Sequence, residues 1–181
     1  MFGGEPKSRI ARGVPTWNKY YGHRNAINMG FGWDRTQNML WRLQNGALDG
    51  ISPKVTVVLA GTNNQTGTKN APTNTPEEIA AGVKALCDTI HQRSPETKIL
   101  LLTVLPRKGG NFAETIPAIN KGIKMLGVEN YITVLDMWKN FALKNGEPNP
   151  KLFHDAVHPN VAGYKVWGET IEPSLILLLG E

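Results

Sequence analysis

The chain is poor in several things, and each shortage excludes something. A single cysteine, Cys87, rules out an internal disulfide, and its place in a helical pattern reads as a buried structural thiol. No apolar run approaches the roughly 20 residues needed to cross a bilayer. The longest, Leu175 to Leu179, only ends an amphipathic stretch. Met1 to Arg12 is polar and Gly-rich, so it is no signal peptide. The compartment is left open: cytoplasmic as the chain stands, exported if a longer N-terminus carries a leader. Like charges never cluster beyond the Arg107-Lys108 pair, although the net charge is +5 and the pI is near 9.4. A scattered basic surface of this kind reads as solvated, and a nucleic-acid site is not expected. Serine is scarce too, confined to Ser8, Ser52, Ser94 and Ser174.

What is present suits one globular domain: 181 residues, 40% hydrophobic and 19% charged, enough to bury a substantial core. Four apolar runs predict strands at Ala26–Gly30, Lys54–Ala60, Lys98–Leu105 and Tyr131–Asp136. The second and third are continuously apolar, as parallel strands covered on both faces are. Helical periodicity fills the intervals at Asp34–Leu48, Thr75–Arg93, Ala113–Leu126 and Val161–Leu179, with Pro173 expected to kink or restart the last. Thr75, Pro76, Glu77 and Glu78 make a strong helix start. Such alternation predicts a three-layer α/β/α sandwich with right-handed crossovers and a ligand site at the carboxyl ends of the strands.

Three clusters fall at that edge. In His154-Asp155-Ala156-Val157-His158-Pro159, an aspartate three residues before a histidine can accept the imidazole Nδ1–H and leave Nε2 to take a proton. The plainer alternative is a turn cap beside an ordinary histidine. A metal site on His154, Asp155 and His158 is disfavoured, because His23 and His91 do not sit in ligand-like settings. The second cluster, Gly61-Thr62-Asn63-Asn64, combines a turn glycine with an amide that can point its N–H at an oxyanion, or it is simply a strand-end turn. The third, Asn28 to Thr36, offers backbone N–H groups at a helix start, with Asp34 or Thr36 as possible caps.

The order of INMGFGWDRTQNMLWRLQNGAL, VTVVLAGTNN, ILLLTVLPR and HDAVHPNVAGY resembles the SGNH/GDSL hydrolase superfamily from about Trp17 onward, nearest to platelet-activating-factor acetylhydrolase catalytic-subunit-like esterases. The resemblance implies a flavodoxin-like parallel sheet, with residues 1–16 as a polar extension and 17–181 as the hydrolase-like domain. It implies His158 as general base and then acid, Asp155 as its orienting partner, and Asn63 as oxyanion donor after the turn glycine Gly61. Gly32, Trp33 and Asn64 fall in the expected oxyanion and pocket region. Trp33 stands where the family has a glycine, so its indole is expected to crowd or line the acyl pocket.

Family members begin with a central strand ending in Gly-Asp-Ser, whose serine is the nucleophile. This sequence has no Gly-Asp-Ser. Ser52 and Ser94 precede prolines ahead of strands, Ser174 lies in the last helix, and Ser8, with no strand before it, is a weak substitute. The chain therefore reads as starting downstream of the first block, with the usual central strand missing. Residues 1–16, a second copy pairing as a homodimer, or re-pairing of the sheet would have to deal with the bared edges.

The implied chemistry is hydrolysis of short-chain, chiefly acetyl, esters of lipids, carbohydrates or small alcohols. It needs no cofactor and no metal, and without the serine the chain should be a poor or inactive esterase. The alternative is a catalytically inactive SGNH-like binding or partner subunit.

Overall fold

The computed structural model describes residues 11–181. Its centre is a parallel three-stranded sheet in the order β1-β2-β3: β1 Val55–Val58, β2 Lys98–Leu102 and β3 Ile132–Leu135. The helices are α1 Val14–Tyr20, α2 Thr36–Gln44, α3 Pro76–Arg93, α4 Phe112–Met125, α5 Trp138–Phe141 and α6 Val161–Leu179.

Alternation along β2 builds the layers. Ile99 and Leu101 point into a cluster with Ile79, Val83, Leu86 and Ile119 of α3 and α4, while Leu100 and Leu102 enter a second with Tyr20, Phe141, Trp167 and Ile171 of α1, α5 and α6. All four of these β2 side chains are fully buried, which a continuously apolar central strand requires. The expected α/β/α sandwich is thus formed.

Local chemistry sets the helix starts. Thr75 Oγ1 accepts from the Glu78 N–H at 3.2 Å, and Glu78 returns by accepting from the Thr75 N–H at 3.0 Å, so α3 opens on a capping box followed by Pro76. Asn160 Oδ1 accepts from the Gly163 N–H at 2.9 Å and starts α6. Pro173 does not restart α6, which runs through it to Leu179. Burial of Ile171 and Leu175 on either side outweighs the roughly 3 kcal/mol of an internal proline.

Helix α1 was not foreseen. It crosses the expected boundary between residues 16 and 17, and Thr16 and Tyr20 are buried where Gly168 of α6 leaves room for them. The chain then turns at Arg24, whose guanidinium is held by Glu172 at 2.7 Å, by Glu181 and by the Tyr20 carbonyl at 2.9 Å.

The predicted strand Ala26–Gly30 does not form. The segment is irregular and exposed, with Gly30 N–H donating to Asn28 Oδ1 at 3.0 Å in a local turn. A strand needs a ladder partner, and among the described residues none lies beside this one. Among the described residues β1 is the edge of the sheet, and Val55, Thr56 and Val57 are only partly buried where β2 is buried throughout its apolar length.

Candidate active site

The loop between α5 and α6 carries the first half of the site. Asp155 Oδ1 accepts from the backbone N–H groups of Val157 at 2.9 Å and His158 at 2.7 Å. Its carboxylate also meets His158 Nδ1, Oδ2 at 2.9 Å and Oδ1 at 3.1 Å. Asp155 thus caps the turn and contacts the imidazole with one carboxylate. A carboxylate only accepts, so Nδ1 donates, and in the neutral ring Nε2 is the nitrogen that keeps a lone pair. Burial pushes the Asp155 carboxyl up, but the two backbone N–H groups and the imidazole outweigh it and hold the group down at about 2. Asp155 is thus ionised at neutral pH.

The loop is braced from three sides. His154 N–H donates to the His158 carbonyl at 2.8 Å, Asn160 N–H to the Leu152 carbonyl at 2.9 Å, and Lys108 N–H, from beyond β2, to the Ala156 carbonyl at 2.8 Å. At Gly163 the first turn of α6 passes so close to the Leu152 carbonyl that no Cβ fits.

The second half follows β1. Gly61 adopts φ +114°, and a Cβ there would stand 2.7 Å from Ile79 Cγ2, so both conformation and space require glycine. A short 3₁₀ turn, Thr62–Gln65, then presents Asn63, whose Nδ2 donates to the Asp34 carbonyl at 2.9 Å. One amide hydrogen clips the 31–34 loop, and the other meets no acceptor among the described residues. Arg107 steadies the turn by donating to Thr66 Oγ1 at 2.7 Å, with its guanidinium 4.4 Å above the Phe112 ring.

Asn64 takes a different place from the expected one. It is buried, accepts from the Thr36 N–H at 3.0 Å, and donates to Thr36 Oγ1, Gln37 Oε1 and Asn74 Oδ1, each at 3.0 Å. It fastens the start of α2 to the turn after β1 and has no amide hydrogen left for substrate.

Trp33 lies in the left-handed region at φ +65°, a conformation that suits glycine. Its indole is 76% exposed and does not line the cleft, and Gly32 beside it has no neighbour within 4 Å of where a Cβ would sit. Asp34 holds Arg42 at 2.6 Å, and Phe31 lies over that guanidinium at 4.0 Å.

His158, Asn63 and Gly61 share one groove of about 790 Å³, bounded by β1, the 25–31 segment and α6. Ser52 is at its opposite end, ahead of β1. Ser94 caps the end of α3 and meets Thr97 Oγ1 at 2.7 Å, and Ser174 lies within α6. Ser8 falls outside the described residues. Cys87 is fully buried, and burial pushes its thiol up to about 12. The polar clip of Asn64, Thr36 and Asn74 and the brace from Arg107 were not foreseen; the Asn63-Asn64 doublet was their only trace.

This fold and this pair of polar loops belong to a known class. The GDSL-like lipase/acylhydrolase family matches residues 3–166, and the chain belongs to that family. Over its whole length the chain is 31% identical to the platelet-activating factor acetylhydrolase IB subunit alpha2 of Rattus norvegicus, of which it spans 77%. The human alpha1 subunit is 27% identical, again with 100% of this chain and 77% of the relative covered.

Among solved structures, a GDSL-like lipase from Bacteroides thetaiotaomicron superposes with a TM-score of 0.74 at 20% identity, over 90% of this chain and 80% of that one. An acetyl xylan esterase gives 0.72 at 18% identity, over 90% and 89%. These structures share the fold: the chain has the SGNH hydrolase architecture, and among the described residues no strand stands where that architecture has its first central one.

Proposed function

We propose that this domain carries the base and oxyanion half of an ester hydrolase acting on short-chain, chiefly acetyl, esters. The observation that carries the reading is the Asp155–His158 pair at 2.9 Å, which fixes the imidazole with Nε2 available at the groove that Asn63 also lines. In this reading His158 takes the proton of an attacking hydroxyl and returns it to the departing alcohol. Asp155 holds the ring and offsets the imidazolium charge. The free Asn63 N–H and backbone N–H groups of the 31–34 loop receive the oxyanion. The acetylhydrolase name of the rat relative supports an acetyl group.

The nucleophile is not a serine of the described residues, so turnover by this chain alone is expected to be slight. The test is hydrolysis of p-nitrophenyl acetate by the chain and by its His158→Ala variant. A rate that the substitution abolishes upholds His158 as base; a measurable rate that it leaves unchanged refutes that role. The open groove favours a second reading, a subunit that works by binding, in which His158→Ala leaves affinity untouched.

A further inference from the structure

The outer face of α2 carries no charge. Met39, Leu40 and Leu43 pack inward on the core and Arg42 folds onto Asp34, which leaves Gln37, Asn38, Trp41, Gln44 and the C-cap Asn45 exposed. A solvated helix face normally holds charged side chains. The exposed positions of α3, α4 and α6 do so, with Lys84, Glu114, Lys121, Lys165 and Glu169 among them. Residues three and four apart are neighbours on a helix surface. Gln37, Asn38, Gln44 and Asn45 stand at those spacings on either side of Trp41, so four carboxamides ring one indole that is 62% exposed.

Three of these amides keep hydrogen-bonding capacity. Asn38 Oδ1 accepts from the Arg35 N–H at 3.1 Å, and Asn45 Nδ2 donates to the Trp41 carbonyl at 2.7 Å. Asn38 Nδ2, Asn45 Oδ1 and both ends of the Gln44 amide meet no partner among the described residues. A second indole extends the surface. Trp33, 76% exposed, stands two residues ahead of the N-cap Arg35, on the loop that Asn63 clips. Its left-handed backbone at φ +65° costs stability that so exposed a ring does not recover by packing.

The chemistry of this surface selects its ligand. The flat face of a pyranose ring carries C–H groups that pack on an indole, while its hydroxyls need donors and acceptors at the edge, which carboxamides supply. An acyl chain would strip water from the amides and give them no partner. A polyanion would find no Lys or Arg on this face. We propose that the outer face of α2, with Trp33 at its head, is a binding strip for a neutral polysaccharide. One sugar ring stacks on Trp41 between Asn38, Gln44 and Asn45. Face and ligand match in charge, both being neutral, and the strip is continuous with the 31–34 loop of the candidate site. An acetyl ester on the bound polysaccharide would lie near that loop, a consequence that rests on the function proposed above.

The probes are insoluble xylan, mannan, cellulose and starch, each spun down after mixing with the full chain, with the protein left in solution measured. The strip predicts saturable depletion by at least one of them, relieved by the soluble hexasaccharide of the same sugar. Trp41→Ala should weaken that binding roughly tenfold. Gln44→Leu separates a sugar from an apolar ligand: the lost amide weakens sugar binding severalfold, whereas the added apolar side chain would tighten a lipid or protein contact. Neither side chain belongs to the core, so both variants keep the fold. No depletion by any of the four, depletion that Trp41→Ala leaves unchanged, or tighter binding by Gln44→Leu overturns the proposal. So does Trp41-dependent binding to phosphatidylcholine vesicles, or a Trp41-dependent dimer in sedimentation. His158→Ala should bind as the parent does; a loss would put the sugar in the groove and overturn the strip as well. Hydrolysis of p-nitrophenyl acetate, which carries no sugar, tests the esterase reading alone.

Discussion

Gly163 and Gly32 offer a paired experiment, because the same added methyl group meets opposite surroundings. A Cβ on Gly163 would overlap the Leu152 carbonyl and stand 2.9 Å from the Pro159 Cβ, both parts of the loop that carries His158. Backbone cannot swing aside as a flexible side chain can, so Gly163→Ala must push the loop away from α6. Overpacking of this sort costs typically 1–3 kcal/mol. For a domain of this length, about 2 kcal/mol lowers Tm by roughly 4–8 °C.

The displaced loop also strains the Asn160 N–H bond to the Leu152 carbonyl, 2.9 Å long, and with it the cap of α6. At Gly32 nothing lies within 4 Å and φ is not positive, so Gly32→Ala should leave stability within about 0.5 kcal/mol of the parent. Thermal unfolding followed by far-ultraviolet circular dichroism compares the two. Equal Tm values for both variants and the parent would refute the close packing of α6 on the His158 loop.

Other outcomes follow from single features. Trp33→Gly should stabilise the fold by about 1 kcal/mol, since it relieves a left-handed residue whose indole is 76% exposed; a loss of stability in urea unfolding would mean that the ring packs on something. The Asp155 carboxyl is depressed on folding, so its contribution is present above about pH 4 and is lost as pH falls through about 2. With the side chain 45% exposed, screening limits it to about 1 kcal/mol, and Asp155→Asn should flatten the acid limb of a stability–pH curve between those values. Cys87, buried with its thiol pushed up to about 12, should resist a thiol reagent in the native state and react at once in urea; fast native reaction would contradict its burial.

The sandwich could be read because its signals were local. Apolar runs at Val55–Val58 and Lys98–Leu102 demanded cover on both faces, and Thr75 to Glu78 spelled out a capping box. The Asp155–His158 pair was legible for the same reason, since the four residues of one turn define its geometry. Ala26–Gly30 failed as a strand because pairing is a property of neighbours, and the neighbour it needs is not among the described residues. Helix α1 was hidden by its length, Val14–Tyr20, and forms through packing of Thr16 and Tyr20 on α6. Asn64 looked like Asn63 in sequence, and only the arrival of Thr36 and Asn74 from elsewhere in the chain gives it a different task.

The bracing of the two loops has a mechanical side. Asn63 hangs on a frame made of β1 and the start of α2, bolted by Asn64 and Thr36. His158 hangs on another, made of the cap of α6 and the strap to Lys108. Lys108 reaches that strap from the same segment whose Arg107 props the Asn63 turn. Residues 107 and 108 thus tie both frames to one short segment, so that a displacement there would be passed to the Asn63 turn and the His158 loop together.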